Sequence, residues 1–195
     1  MKLRLANVLC LIRIAGSFTA GYLLLSGSHS EPRALALLII IGCVLLDAID
    51  GRVARYFGQA DEVGTLADLF ADHIFANTIW VCLALLGLVS PWVPLVTTSR
   101  DMVVDWFRES NRLVTKNGFE QVARSHLHWL CSSRTMRALY GGAKVTTWVL
   151  VLVPVVPGNV AVIVTWLAVT MCLVRALPSL TSGWRTILFF HESCP

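Results

Sequence analysis

Apolar residues in this chain fall in long runs separated by short polar breaks, and the runs have the length of a membrane-crossing helix. Crossing a hydrocarbon layer about 30 Å thick takes about 20 apolar residues at about 1.5 Å rise per residue. Runs of this kind cover about 8–27, 34–54, 65–88, 91–108, 140–156 and 158–178. The fourth is interrupted by Arg100, Asp101 and Asp105 but keeps its length. The last two meet at 154-PVVPG-158, where prolines and a glycine predict a tight helical hairpin. Beyond the sixth run, 184-WRTILFF-190 is too short to cross and reads as an interfacial segment or a cap on the bundle. The longest polar stretch, 109–139, reads as a loop or short helix pair between spans. The pattern predicts an all-α integral membrane protein with six transmembrane helices, forming a single domain over 1–195.

Composition agrees with this reading and excludes others. Hydrophobic residues make up 56% and charged residues 14%, with a mean hydropathy of +0.69. A soluble domain carries roughly 25% charged residues. Lys2 and Arg4 ahead of the first run imitate a signal peptide, but Arg13 inside the run argues against cleavage, as does the lack of a soluble mature domain. Six spans put both termini on one side. The outward loops are then 28–33, 89–90 and 157, and of sixteen Lys and Arg they hold only Arg33. That asymmetry predicts cytoplasmic termini. The net charge of +4 becomes a cytoplasmic face suited to anionic lipid and phosphorylated substrates, not to nucleic acid. The six cysteines show no metal-ligand spacing, and the four inside spans read as small buried hydrophobes.

Against this apolar background the stretch 47-DAIDGRVARYFGQADEVGTLADLFAD-72 places four aspartates at the ends of two adjacent spans. Asp47, Asp50, Gly51 and Ala54 follow the i, i+3, i+4, i+7 rule and share one helix face, and Asp68 and Asp72 are i, i+4 on the next span. The two spans are antiparallel neighbours. Asp47 lies roughly 12 Å along the axis from Arg55, and Asp72 a similar distance from Gly64, so the two carboxylate pairs sit at matching depth. Four facing carboxylates in a low dielectric cost several kcal/mol each unless neutralised. Two divalent cations would neutralise them, and oxygen-only donors favour Mg²⁺, Mn²⁺ or Ca²⁺. A two-metal carboxylate site beside small residues and an arginine points to chemistry on a phosphate. Gly51 and Ala54 clear space, and Arg55 offers a bidentate fork to a diphosphate.

The spacing Asp47-x2-Asp50-Gly51-x2-Ala54-Arg55-x8-Gly64-x3-Asp68-x3-Asp72 resembles the CDP-alcohol phosphatidyltransferase signature at each of its fixed positions. The six-span pattern resembles that family's fold over nearly the whole chain. Asn7 through Arg13 is similar to the family's usual approach to the first span, with Ala6 where proline is common. The resemblance implies transfer of a phosphatidyl group from CDP-diacylglycerol to an alcohol, with release of CMP, in phospholipid biosynthesis. It implies that Asp47, Asp50, Asp68 and Asp72 hold two divalent cations, Mg²⁺ or Mn²⁺. Asp72 would also be the general base, and Gly51, Ala54, Arg55 and Gly64 would line the CDP-lipid site. It further implies a homodimer in the inner or plasma membrane of a bacterium, with the active site facing the cytoplasm.

The acceptor is read from cations elsewhere. The stretch 100-RDMVVDWFRE-109 repeats an Arg/acid pairing similar to that of phosphatidylglycerophosphate synthases, and 142-GAKVTTW-148 resembles their Gly–Lys–Thr segment. Arg100, Arg108 and Lys144 would bind a phosphorylated acceptor, glycerol 3-phosphate by preference. "LDAIDGRVAR" is also close to versions in phosphatidylserine and phosphatidylinositol synthases, and His73 stands where phosphatidylglycerophosphate synthases often carry Lys or Arg. Inositol or inositol phosphate is therefore the enzymatic alternative. A divalent-cation carrier is the alternative of another class, and it has no evident need for the Gly51/Ala54/Arg55 cluster.

Overall fold

A computed structural model describes residues 5–26, 30–56, 62–114, 134–153 and 156–188, all of them helix or short turn; side chains are described over narrower ranges, which leave out 5–7, 30–31, 48–56, 62–63, 65, 108–114, 134–135, 137–138 and 181–188. Six helices appear among the described residues: α1 (Leu5–Ser26), α2 (Ser30–Tyr56), α3 (Glu62–Leu85), α4 (Trp92–Val114), α5 (Arg134–Leu152) and α6 (Gly158–Leu188). No strand appears among them. Among the described residues three stretches are long and apolar enough to cross a membrane: Val8–Ser26, Leu66–Leu85 and Gly158–Leu180. Leu139–Leu152 is a shorter apolar stretch. The outer faces of these helices are apolar too. Leu11, Phe18, Tyr22 and Leu25 of α1 are exposed, as a lipid-facing surface requires.

The chain divides into two compact units, Met1–Pro94 with Val151–Val153, and Leu95–Leu150 with Pro154–Pro195. In the first unit α1 packs on both α2 and α3. Its buried stripe is Cys10, Arg13, Ser17, Ala20 and Leu24, a 3–4 spacing of small and polar residues that lets helix axes approach closely. Two glycines mark the closest points. A Cβ on Gly16 would meet Cys43 Sγ at 2.6 Å, and one on Gly21 would meet Cys82 Sγ at 3.0 Å. Cys10, Cys43, Cys82 and Cys172 are buried free thiols, as their apolar setting predicts.

Turn chemistry ends α3 and begins α4. Gly87 has φ +70°, its N–H donates to the Ala84 carbonyl and the Leu88 N–H to the Leu83 carbonyl, both at 3.0 Å. This is a Schellman closure, which needs a residue without a Cβ at that position. Ser90 then caps α4: its carbonyl accepts from Val93 N–H at 2.9 Å, its Oγ accepts from Trp92 N–H at 3.4 Å, and Pro91 sits where no N–H is needed.

In the second unit α6 runs unbroken past Pro178 to Leu188. The apolar span Gly158–Leu180 agrees with the expected end near 178, and the helix itself continues into 184–188; residues 189–190 lie outside the described residues. Proline removes one ladder donor, and the buried stripe Thr165, Ala168, Cys172, Ala176 and Ser179 carries straight across it. The α4 and α5 helices also reach further into 109–139 than expected, to Val114 and back to Arg134. Residues 115–133 between them, with His126 and His128, lie outside the described residues.

Candidate active site

The buried stripes of the first unit lead to the aspartates. On α2, Ala36, Ile40 and Cys43 are buried, and Asp47 is the next position on that face. On α3, Phe75, Ile79 and Cys82 are buried, and Asp72 and Asp68 continue their stripe in the other direction. The glycine contacts set the register. From the Gly16–Cys43 contact, one turn back along α1 reaches Arg13 and one turn forward along the antiparallel α2 reaches Asp47. Helical periodicity thus brings an arginine and three carboxylates to one level.

Arg13 holds all three. Its Nη1 donates to Asp47 Oδ1 at 2.5 Å and to Asp68 Oδ1 at 2.9 Å, and its Nη2 donates to Asp72 Oδ1 at 3.3 Å. The Arg13 side chain is 2% exposed, against 45%, 56% and 49% for Asp47, Asp68 and Asp72. The guanidinium therefore lies under the carboxylates, and each carboxylate turns part of its surface outward. Cys10 Sγ is 4.0 Å from Asp68 Oδ1, at the weak limit of a thiol contact. Stripping the guanidinium of these partners would leave a buried charge, at a cost of about 3 kcal/mol, the low end for a buried pair because the carboxylates are half-exposed.

Sequence reasoning expected Asp47, Asp68 and Asp72 to converge, and they do. It used Arg13 against signal cleavage and as the end of the family-like stretch Asn7–Arg13, not as a partner of the aspartates. The signal for its role was present: an arginine in the middle of an apolar span needs an acid partner at the same depth. Asp50, Gly51, Ala54 and Arg55 lie on the last turns of α2, with side chains outside the described ranges, and Gly64 lies in the first turn of α3.

Whether a divalent cation suits this arrangement is a question of donor chemistry. The donors are carboxylate oxygens from two helices, with three negative charges against one positive, and their outward surface is open. That donor set fits a hard cation. Among the described residues no three His, Cys, Asp or Glu are grouped to hold a metal by themselves; Asp47, Asp68 and Asp72 meet on Arg13.

The second unit carries the other predicted cations. Arg100 Nη1 donates to Asp101 Oδ1 at 2.7 Å, with both side chains 13% exposed. Arg100 and Asp101 are also close enough to Tyr140 to act on it electrostatically. Lys144 Nζ lies 5.5 Å from the Tyr140 ring centroid and 5.6 Å from that of Trp148, one turn to either side on α5. Arg175 of α6, which sequence reasoning did not single out, lies 5.2 Å from the Tyr140 ring. The Tyr140 hydroxyl donates to Cys172 Sγ at 3.2 Å. Arg100, Lys144 and Arg175 thus surround one tyrosine, held by ring faces and a carboxylate. Arg108 lies on α4, with its side chain outside the described ranges.

Comparison with known proteins bears on both units. The model of the family described as CDP-alcohol phosphatidyltransferase matches residues 3–174. A protein of Mycobacterium tuberculosis named "Probable phosphatidylglycerophosphate synthase" is 31% identical over 106 residues, covering 53% of this chain and 51% of that protein. A "Cardiolipin synthase (CMP-forming)" of Streptomyces coelicolor is 28% identical over 104 residues, 52% of this chain and 48% of its own length. An "Archaetidylinositol phosphate synthase" of Aeropyrum pernix is 32% identical over 80 residues, 41% of this chain and 40% of its own. The chain spans about half the length of the curated relatives it matches most extensively.

Proposed function

Because the chain belongs to the CDP-alcohol phosphatidyltransferase family, we propose that it transfers a phosphatidyl group from CDP-diacylglycerol to a phosphate-bearing alcohol, releasing CMP. The observation that carries this reading is the convergence of Asp47, Asp68 and Asp72, three members of the family-like signature, on one buried guanidinium. The three helices able to cross a membrane support a membrane protein. In full the reading has six spans in a single domain over 1–195, cytoplasmic termini, an active site facing the cytoplasm of a bacterial inner membrane, and a homodimer.

In the reaction the acceptor hydroxyl oxygen forms a bond to the phosphorus that carries diacylglycerol. The bond from that phosphorus to the bridging oxygen breaks, and CMP leaves with the electron pair. Asp72 accepts the hydroxyl proton; its half-exposed carboxylate is open to a nucleophile within hydrogen-bond reach, as general-base catalysis needs. Asp47, Asp50, Asp68 and Asp72 would hold two divalent cations, Mg²⁺ or Mn²⁺, in keeping with the general cation dependence of the family. When bound, these cations supply Lewis-acid stabilisation of charge on the phosphoryl oxygens. Gly51, Ala54, Arg55 and Gly64 line the CDP-lipid site, with Arg55 on the diphosphate.

Arg100, Arg108 and Lys144 are assigned to the acceptor's phosphate. The relatives' names point to three products, and each implies an acceptor with a phosphate: glycerol 3-phosphate, phosphatidylglycerol or inositol phosphate. Glycerol 3-phosphate is preferred because the relative named for phosphatidylglycerophosphate synthesis matches over the longest stretch of the three compared; inositol phosphate is the second reading, favoured by the archaeal relative. The test is CMP release by purified protein from CDP-diacylglycerol and Mn²⁺, each acceptor being offered alone. Turnover with glycerol 3-phosphate only is expected. Turnover with another acceptor reassigns the substrate, and divalent-cation flux into vesicles with no CMP release would favour a carrier instead.

A further inference from the structure

Resting on the proposed divalent-cation site, we propose that Arg13 is its positioning residue: a buried fork that holds three carboxylates from below so that cations bind from above. Three observations carry this. Arg13 spans the site, with Nη1 bridging Asp47 of α2 to Asp68 of α3 and Nη2 taking Asp72. Asp68 and Asp72 are engaged through Oδ1, which leaves Oδ2 as the second donor of a half-exposed group. The guanidinium is almost wholly buried while the carboxylates are about half exposed, so incoming cations meet carboxylate before they meet arginine.

The physical reason for an arginine is its shape. Carboxylates from two helices repel one another and would splay before any cation arrived. A planar guanidinium offers donors in fixed directions and stays charged at every physiological pH. It therefore gathers the carboxylates in the cation-free protein, and the cost of bringing them together is met on folding. A lysine would supply the same charge from a flexible point donor, without fixed directions. Partners that orient metal ligands commonly contribute 10- to 100-fold in metal affinity. Arg13 differs from a competing cation in a way that can be measured. A competitor occupies the place of the metal, and its removal tightens metal binding; a positioning residue weakens it when removed.

The experiment is Mn²⁺ binding to the purified full chain in detergent, read as free Mn²⁺ by electron paramagnetic resonance, for the wild type, Arg13→Gln and Arg13→Lys. Thermal unfolding without cation runs in parallel. Arg13→Gln is expected to weaken Mn²⁺ binding by about 10- to 100-fold. Arg13→Lys, which keeps the charge, is expected to recover part of the cation-free stability but to remain weaker than wild type for Mn²⁺. If Arg13→Gln does not fold, Arg13→Lys decides alone. Wild-type Mn²⁺ affinity in Arg13→Lys would overturn the positioning role, and tighter binding in either variant would show a competitor. A wild-type protein that binds no Mn²⁺ would overturn the cation site itself and this proposal with it.

Discussion

Replacing Gly16 by alanine tests whether the packing of α1 sets the active-site register. An added Cβ would sit 2.6 Å from Cys43 Sγ, about 1 Å inside ordinary van der Waals contact. Cys43 is 5% exposed and, on a helix, has in practice one alternative χ1 well to retreat into. Overpacking of this kind costs about 1–3 kcal/mol, while the helix gains up to about 1 kcal/mol from losing a glycine. The single variant mixes these effects, so a double-mutant cycle with Cys43→Ala is the cleaner measurement: it removes the sulfur and leaves the propensity gain. The expected coupling is about 1–3 kcal/mol in favour of the double variant, read from equilibrium unfolding in mixed micelles. Gly21→Ala, facing Cys82 Sγ at 3.0 Å, should show a smaller coupling with Cys82→Ala. The contact lies one turn from the Arg13–Asp47 pair, so Gly16→Ala should also weaken Mn²⁺ binding, and Cys43→Ala should restore it. A coupling below about 0.5 kcal/mol, within ordinary additivity error, would refute the argument.

Two further substitutions separate the roles at the site. Asp72→Asn keeps the shape of the side chain but cannot accept the acceptor's proton, and CMP release at saturating Mn²⁺ should fall by at least about 10²-fold; retained turnover would remove Asp72 from the base role. Arg55→Ala would remove the charge-assisted contact proposed for the diphosphate and should raise KM for CDP-diacylglycerol by about 10-fold or more, and unchanged saturation behaviour would count against the assignment.

Much of this arrangement was legible from periodicity. Asp47 falls four residues after Cys43, and Asp72 and Asp68 extend the Cys82–Ile79–Phe75 stripe, so a helical reading of the sequence brings the aspartates to one face. Arg13 was harder to read. A single sequence shows that a buried arginine needs acids but not which helix supplies them, because that depends on α1 packing between α2 and α3. That packing is decided by Gly16 and Gly21, whose missing side chains leave no hydrophobic signal. Arg175 was hidden for the opposite reason: one cation near an inward span end is what the positive-inside rule already predicts, whereas its place beside the Tyr140 ring is a tertiary feature. That α6 continues as one helix past Pro178 beyond its apolar span was not legible, because inside a bundle a continuous buried stripe outweighs one lost hydrogen bond.

Charge balance gives Arg13 a consequence for the order of binding. Four aspartates carry four negative charges, and with Arg13 beneath Asp47, Asp68 and Asp72 the cation-free set is net negative. A diphosphate approaching that surface is repelled. Two divalent cations would cancel the aspartates, and the arginine then tips the site to net positive at the depth where the diphosphate must settle. At the effective dielectric of a partly buried site, one unit charge at about 4 Å is worth about 4 kcal/mol, enough to change affinity by orders of magnitude. Cations should therefore bind before the nucleotide lipid. Titrating CDP-diacylglycerol at a series of fixed Mn²⁺ concentrations should show its apparent Kd rising steeply as Mn²⁺ falls, and binding should be lost in chelator. Equal affinity with and without chelator would mean that the carboxylates and the diphosphate do not share a surface, and the assignment of Asp47, Asp68 and Asp72 to the reacting phosphate would fail.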